Sequence, residues 1–335
     1  MGGRALKQIK TNRKSTEDFI KIYGELSKII VEHLSNEIHL VKYYHTKESH
    51  GDMDILLKIS DIKDYEKINE FINNIIKPCE VLKNDIVYSF NYFDFQIDFI
   101  LINESLWETA ITYFDYDCLG NVMGKTYHKF NLSYGWNGLY YKFRNFNGRL
   151  CDNILISRDP RKIFQFCDYD YDRYLLGFDY IEEIFDYIQK SKYFNADIFK
   201  MENLKGIDKK RNNKRNSYHS FLNYIETHKH QNNHEFNKDK DIYLPMIDNF
   251  FPEAKFMDKL HNFNIIDKEN KILSQKFNGD IVMSWLPNLM GKELGCVMSK
   301  FKDALGDDYK TFILNSTYNQ IHDCFMNIHK KIFEV

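Results

Sequence analysis

The chain has 335 residues, with 46 Lys and Arg against 48 Asp and Glu, and its formal charge is −2. A hydrophobic content of 43% is enough for a packed core and excludes a wholly disordered chain. The near-neutral balance argues against a uniformly basic nucleic-acid coat protein but leaves room for local basic patches. Six scattered cysteines without a CxxC pair indicate free thiols. With no apolar run typical of a signal peptide or membrane span, we expect a soluble intracellular protein, in the cytoplasm, nucleus or virion.

Hydrophobic periodicity predicts an α+β chain. Ser15-Thr16-Glu17-Asp18 is typical of a helix start, and apolar residues at helical spacing follow it as far as Leu34. The later predicted elements are strands over residues 38–44, 52–59 and 86–102, a helix over 65–76, helices from 105 onward, a loop-rich aromatic stretch over 134–153, and a helical block over 160–199.

Composition divides the chain into five segments. These are a basic amino-terminal tail and helix (1–37), a mixed sheet with helices (38–104), a mainly helical region (105–204), a basic and histidine-rich linker (205–240) and a helical carboxy-terminal module (241–335). The linker begins with six cations and one carboxylate over residues 205–215, which would follow a phosphate backbone or simply be solvated. Its HxHxxxH cluster, His228, His230 and His234, lacks a Cys or carboxylate frame, so we predict coil rather than a zinc site.

The most specific chemical signal is a pair of aspartates on one predicted strand. Asp52 and Asp54 are two residues apart, so their carboxylates project from the same face, while Met53 and Ile55 point into the core. Gly51 permits a sharp chain entry just before the pair.

A third carboxylate, Asp98, lies on a later strand that is expected to pair beside the first. Three strand-borne aspartates suit two-metal phosphoryl transfer with Mg²⁺ or Mn²⁺ and a nucleoside triphosphate substrate. One ion would hold the triphosphate, and the other would activate a 3′-hydroxyl, with Asp98 as its ligand and as proton acceptor. The bland alternative is a solvated DxD at a strand edge.

At these residues the sequence resembles DNA polymerase beta and its relatives, the family X polymerases of the nucleotidyltransferase superfamily. ESHGDMDILL, residues 48–57, is similar to that family's ESSGDMDVLL strand, and IDFILI, residues 97–102, is similar to its RIDIRLI strand. Weaker likeness extends to about residue 178, through WNGLY at 136–140 and RKIFQF at 161–166.

The resemblance implies a nucleotidyltransferase palm over residues 38–104, a thumb-like region over 105–204, and a helical carboxy-terminal domain. It implies an enzyme that adds nucleotides to the 3′-OH of a DNA primer or an RNA end, with Asp52, Asp54 and Asp98 as metal ligands. The candidate nucleotide-binding residues are Gly51, Lys42, His50, Tyr113, Phe114 and Asn121. The candidate nucleic-acid contacts are Lys125, Lys209, Lys210, Arg211, Lys214 and Arg215. No membrane partner is expected.

Two departures from the family pattern put parts of this interpretation in question. Val41-Lys42 stands where the family has the Gly-Ser that grips the triphosphate, and Asp115-Tyr116 replaces its sugar-side Gly-Ser. Only about 37 residues precede the palm, so no lyase activity is expected. Gly2-Gly3-Arg4 with Lys7 and Lys10 would replace the grip as a phosphate-binding nest, or would form a mobile basic tail.

The carboxy-terminal module adds a second resemblance. Residues 277–280 and 289–298 look like a glycine-containing segment near the end of CCA-adding enzymes and bacterial poly(A) polymerases; alternatively, they belong to a helical bundle that closes its own core. The first alternative to a DNA-polymerase-like enzyme is therefore template-independent RNA tailing. A catalytically impaired binding protein and an enzyme that nucleotidylates small molecules or proteins are further alternatives.

Overall fold

The computed structural model describes residue 3 and residues 5–333, and its mixture of helices and strands confirms the α+β prediction. The strands are β1 Lys14–Ser15, β2 Ile38–Leu40, β3 Ser49–His50, β4 Asp52–Ile59, β5 Val81–Asn84, β6 Val87–Tyr92, β7 Phe95–Asn103, β8 Leu132–Gly135, β9 Gly138–Arg144 and β10 Leu150–Ser157. The helices are α1 Thr16–His33, α2 Ile62–Glu70, α3 Trp107–Phe114, α4 Leu119–Lys129, α5 Pro160–Phe166, α6 Tyr171–Leu175, α7 Ile181–Gln189, α8 Gly206–Asn212, α9 Asn216–Thr227, α10 Leu244–Phe250, α11 Phe256–Lys276, α12 Gly279–Trp285, α13 Gly291–Leu305, α14 Tyr309–Asn315 and α15 Tyr318–Phe333.

A five-stranded mixed sheet, in the order β2-β4-β7-β6-β5, carries the two aspartate strands at its centre. β4 and β7 pair in parallel, and the other neighbours are antiparallel. The parallel pair brings Asp52 opposite Gln96 and Asp54 opposite Asp98. Asp98 was expected beside the first two aspartates, and the register puts it there.

The sheet is covered on both faces by apolar side chains. α1 and α2 bury Phe19, Leu26, Ile30 and Ile68 against the inward residues of the central strands, and the opposite face packs Leu56, Ile100 and Ile102 against the start of α3. Burial of this kind stabilises the fold by about 25 cal/mol per Å² of apolar surface. The central strands are therefore a rigid base for polar groups at their ends.

Residues 5–13 do not form the mobile tail that was one of two alternatives for this segment. The backbone N–H of Ala5 donates to Gln96 Oε1 at 3.0 Å, and the N–H groups of Lys7, Gln8 and Ile9 donate to the Glu80 carboxylate at 2.8–3.0 Å. The buried Gln96 of β7 and the partly exposed Glu80, just before β5, thus hold the segment against the sheet. The α1 start follows as predicted, with Ser15 accepting a hydrogen bond from the Asp18 N–H.

Some predicted boundaries and elements were wrong. The strand predicted over 38–44 is only Ile38–Leu40, and the helix predicted over 65–76 begins at Ile62 and changes to a π-helix over Phe71–Ile76. The predicted aromatic loop over 134–153 lies instead within the three-stranded sheet β10-β9-β8. Alternating burial along β9, which places Tyr141 and Phe143 inward, was the strand signal in that stretch.

The predicted linker over residues 205–240 is largely helical. α8 and α9 occupy residues 206–227, and α9 buries Tyr218, Phe221 and Ile225 at 0–4% exposure. These three apolar residues follow helical spacing, which the abundance of Lys and Asn around them obscured. Residues 228–240 are mostly irregular, as predicted, and the three histidines there contact aromatic rings.

The described chain forms two compact units. The first comprises the residues up to Lys142 together with Leu155–Phe256, and the second comprises Phe143–Ile154 and the residues from Met257 onward. The carboxy-terminal module thus begins at 257 rather than 241, because Ile247 and Phe251 are fully buried and Phe251 packs on the Phe166 ring of the first unit. No described helix is long and apolar enough to cross a membrane.

The second unit has its own helical core. Seven buried residues of α11–α15 and their connections form it: Phe277, Val282, Val297, Phe301, Ile313, Ile321 and Phe325. This packing matches the bland alternative of a bundle that closes its own core. The Asn278 side chain caps α12 by accepting from the Ile281 N–H.

Candidate active site

Three carboxylates lie at the floor of a cleft of about 880 Å³ in the first unit. Asp52 and Asp54 alternate along β4 with the fully buried Met53 and Ile55, and Asp98 is the parallel-register neighbour of Asp54 on β7. Registered neighbours in a sheet share a face, so all three carboxylates project to the same side. The cleft is lined by all three.

These carboxylates disfavour one another's ionisation. Burial first, and then the charges of Asp52 and Asp98, raise the pKa of the Asp54 carboxyl well above its usual range. Burial also raises the pKa of Asp98 to about 6, against hydrogen bonds from Ser89 and Gln96 that lower it. A cation placed among the three would relieve this repulsion.

Hydrogen bonds occupy part of the trio. The Gln96 side-chain amide donates to both oxygens of Asp98 at 2.9 and 3.1 Å, and the Gly3 N–H donates to Asp52 Oδ2 at 2.9 Å. In the described residues, no three or more His, Cys, Asp or Glu side chains are arranged closely enough to hold a metal ion as they stand. The donor set nevertheless fits a hard divalent cation, because it offers carboxylate oxygens alone and its charges repel.

The amino-terminal segment reaches this floor through Gly3. Its φ is +76°, and a Cβ there would lie 2.0 Å from the Gly51 carbonyl oxygen, so the position cannot accept a side chain. Gly2 and Arg4 of the predicted nest lie outside the described residues, while Lys7 and Lys10 are exposed and do not line the cleft. Gly3 therefore contacts a candidate metal ligand.

The predicted nucleotide contacts Tyr113, Phe114 and Asn121 also line the cleft. Tyr113 and Phe114 end α3, and Asn121 lies in the first turn of α4. The two helices meet closely because Gly120 lacks a side chain: a Cβ there would lie 2.3 Å from the Tyr113 carbonyl oxygen. Asn121 is already engaged, since its amide donates to Asn212 Oδ1 at 2.6 Å.

The two departures from the family pattern contact each other. Asp115, whose side chain is fully buried, accepts hydrogen bonds from the Lys42 N–H at 2.9 Å, His39 Nε2 at 2.8 Å and the Tyr174 hydroxyl at 3.0 Å. In return the Tyr116 N–H donates to the Lys42 carbonyl at 2.8 Å. One buried carboxylate therefore fixes the Lys42 backbone on the cleft wall.

His50 lines the cleft but does not offer a positive charge to a phosphate. Its ring stacks on Phe19 at a centroid distance of 3.9 Å, lies edge-on to Tyr43 and is 3% exposed. Burial, followed by the charges of Lys47 and Arg13, lowers its pKa to about 4. The imidazole is thus neutral at pH 7, and its role as a nucleotide contact stays a prediction. The cleft lining also contains the cations Lys42 and Lys47.

The predicted nucleic-acid contacts separate into three groups. Lys125 is buried outside the cleft lining, and its ammonium lies 2.6 Å from Asp208 Oδ2, so its predicted contact with nucleic acid has no support from this arrangement. Arg211 and Arg215 line the cleft, whereas Lys209, Lys210 and Lys214 are exposed and do not line it.

Several cleft residues had no predicted role. They are mainly polar and include Arg13, Tyr44, Asp117, Asn216, Ser217 and Ser220. Asn216, Ser217 and Ser220 belong to α9, so the linker prediction concealed them. The helical spacing of Tyr218, Phe221 and Ile225 would have revealed the helix that carries them.

Among known proteins, no protein-family model and no curated sequence matches this chain. The likeness to nucleotidyltransferases therefore depends on the motif residues of β4 and β7.

Proposed function

We propose that the chain is a nucleotidyltransferase that adds nucleotides from a nucleoside triphosphate to the 3′-OH of a nucleic acid, in the manner of a family X DNA polymerase. One observation carries this proposal: Asp54 and Asp98 are in register on adjacent parallel strands, with Asp52 on the same face, at the floor of a large cleft. This is the number and kind of ligand that divalent-ion phosphoryl transfer uses.

The reaction joins the 3′-oxygen to the α-phosphorus and releases pyrophosphate. Asp52 and Asp54 would hold Mg²⁺ or Mn²⁺ for the triphosphate, and Asp98 would complete the site on the primer side. Bound divalent ions would neutralise charge on the phosphates and make the hydroxyl more acidic. Asp98, a carboxylate on the primer side of the site, would accept the hydroxyl proton.

The cleft walls would orient the nucleotide. Tyr113 and Phe114 offer aromatic surface at the end of α3, with ring centroids 5.4 Å apart at nearly right angles. Lys42, whose backbone is held by Asp115, offers an ammonium on a side chain that is 41% exposed. These side chains would fix the sugar, base and phosphates relative to the carboxylates, which is the main task of a phosphoryl-transfer site.

The test is incorporation of labelled nucleotides. Purified protein with Mg²⁺ or Mn²⁺ receives dNTPs or NTPs, and a primer that is single-stranded DNA, template-annealed DNA or RNA. We expect Asp98→Asn to lower incorporation at least about 1000-fold. The matched control is Asp94→Asn, an exposed aspartate just before the same strand, whose loss should leave incorporation unchanged. Incorporation that survives Asp98→Asn would refute the assignment.

A second candidate is template-independent tailing of RNA ends. It is favoured by Asp115, which occupies the family's sugar-side position but is buried and committed to Lys42, His39 and Tyr174 rather than to a sugar. The same assay separates the two candidates. Products that follow the template support the polymerase, and a fixed added base on every primer supports tailing.

A further inference from the structure

Two arginines on the helical wall of the cleft lack an anionic partner. Arg211 lies in the last turn of α8 and Arg215 immediately precedes α9, and both line the cleft that contains the carboxylate trio. Neither guanidinium forms a hydrogen bond or an ion pair with any residue that the structure describes. Their neighbour Lys125, in contrast, is paired with Asp208.

Their surroundings make this lack of a partner costly. Burial and the charge of Arg211 lower the pKa of the Arg215 guanidinium, and the charge of Asp117 only partly opposes them. Arg215 is half-buried and Arg211 is exposed, and like charges near each other are destabilising without an anion between them. An anion bound in the cleft would offset this repulsion.

The other cations of the lining are less free. The Arg13 guanidinium donates to the Ser49 carbonyl at 2.7 Å and also to the Ser49 hydroxyl. The Lys42 ammonium lies 3.9 Å from Asp115 Oδ2. The Lys47 ammonium has no hydrogen-bond or ion-pair partner among the described residues, but a single ammonium acts as a point charge, whereas two guanidinium groups present planar forks that match phosphate oxygens.

We propose that Arg211 and Arg215 bind the triphosphate of the incoming nucleotide and thereby replace the Gly-Ser grip that Val41-Lys42 lacks. This inference rests on the proposed function for the identity of the nucleotide, but it assigns the pair to a polyphosphate anion rather than to the nucleic-acid backbone. The carboxylates and the arginines then receive the metal and the phosphates of one metal–triphosphate complex.

The test measures binding without turnover. Isothermal titration with inorganic tripolyphosphate in the presence of Mg²⁺ compares the wild-type chain with Arg211→Gln/Arg215→Gln. The matched control is Lys209→Gln/Lys210→Gln, which removes the same charge beside the pair but outside the cleft lining. We expect the arginine variant to bind tripolyphosphate at least about 100-fold more weakly, and the lysine variant to bind within about threefold of wild type.

Two outcomes would overturn the proposal. One is unchanged tripolyphosphate affinity in the arginine variant; the other is an equal loss in both double variants, which would indicate only a general charge effect. Should the half-buried Arg215 be needed for folding, the single variant Arg211→Gln, at an exposed position, supplies the same comparison and should lose about tenfold.

A second titration, with an oligonucleotide, distinguishes failure of this inference from failure of the proposed function. A single-stranded oligonucleotide with a 3′-OH is titrated against the same variants, and we expect the arginine variant to keep its affinity within about threefold. Loss of oligonucleotide binding with tripolyphosphate binding intact would overturn the assignment and return the arginines to the nucleic acid. Arginine-dependent tripolyphosphate binding in a chain that extends no primer would support this inference while refuting the polymerase.

Discussion

Replacing Asp115 tests whether one buried carboxylate fixes the wall of the cleft. Asp115→Asn preserves the shape of the side chain, and its amide oxygen is able to keep the bonds from the Lys42 N–H and His39. The bond at Oδ2 from the Tyr174 hydroxyl must reverse, and the charge assistance of all three bonds is lost. Hydrogen bonds to charged groups contribute about 1.5–3 kcal/mol each, and most of this is retained, so we expect a net loss of about 2 kcal/mol.

The chain offers a matched control for this variant. Asp179 also pairs with a histidine, His45, at 2.5 Å, but both side chains are more than 60% exposed. Asp179→Asn should therefore cost less than about 1 kcal/mol, since exposed ion pairs contribute little. Thermal unfolding should separate the two variants, with a decrease in Tm of about 4–8 °C for Asp115→Asn only.

A local readout makes the test specific. Because the Lys42 N–H donates to Asp115, amide hydrogen exchange in the peptide that contains Lys42 should be faster in Asp115→Asn and unchanged in Asp179→Asn. Equal changes in Tm for the two variants, or unchanged exchange at Lys42 in Asp115→Asn, would refute the reasoning.

Three further perturbations follow from the same contacts. Asp54→Asn should raise the Tm of the metal-free chain by about 2 °C by removing repulsion, and should abolish the stabilisation by Mg²⁺ that we expect in wild type; continued stabilisation of the variant by Mg²⁺ would contradict the metal assignment. Lys125→Met should cost about 2 kcal/mol in denaturant unfolding by leaving Asp208 unpaired, with oligonucleotide affinity unchanged. Burial lowers the pKa of His128 to about 4, so between pH 6.5 and 4 the unfolded chain binds a proton that the folded chain does not, and the free energy of unfolding falls as the pH drops. His128→Gln should remove about 3 kcal/mol of that fall. Identical pH profiles of unfolding for the variant and wild type would exclude this role of His128.

The floor of the cleft was predictable from sequence because its signals are local. Alternation along a strand sets which way Asp52 and Asp54 point, and a hydrophobic run around Asp98 predicts a neighbouring central strand. The parallel register that aligns Asp54 with Asp98 is a separate, long-range condition, because adjacency alone fixes neither strand direction nor register. Local periodicity was thus sufficient for the direction of each carboxylate, and the expected neighbourhood of the two strands supplied the rest.

The walls of the cleft were not predictable in this way, because long-range contacts decide them. Lys125 and Asp208 are 83 residues apart, and Asp115 joins residues from three separate elements. Nothing in the local sequence distinguishes a cation that pairs with a buried carboxylate from one that faces solvent. The basic run over 205–215 shows the same limit: its composition suggested a solvated linker, but most of it is helical and two of its cations, Arg211 and Arg215, line the cleft.

The net charge of the chain is near zero, but in the cleft the negative and positive side chains lie on different walls. Among described residues its lining contains five carboxylates, Glu48, Asp52, Asp54, Asp98 and Asp117, and five cations, Arg13, Lys42, Lys47, Arg211 and Arg215. If these opposite charges formed ion pairs, they would neutralise one another. Instead, three carboxylates lie together on the sheet, and two arginines without an ion-pair partner among the described residues lie together on the helical wall. A bare cation would satisfy only the carboxylates, and a bare polyphosphate only the arginines. A ligand that carries both charges, such as a metal–triphosphate complex, satisfies the two groups together and relieves the repulsion within each.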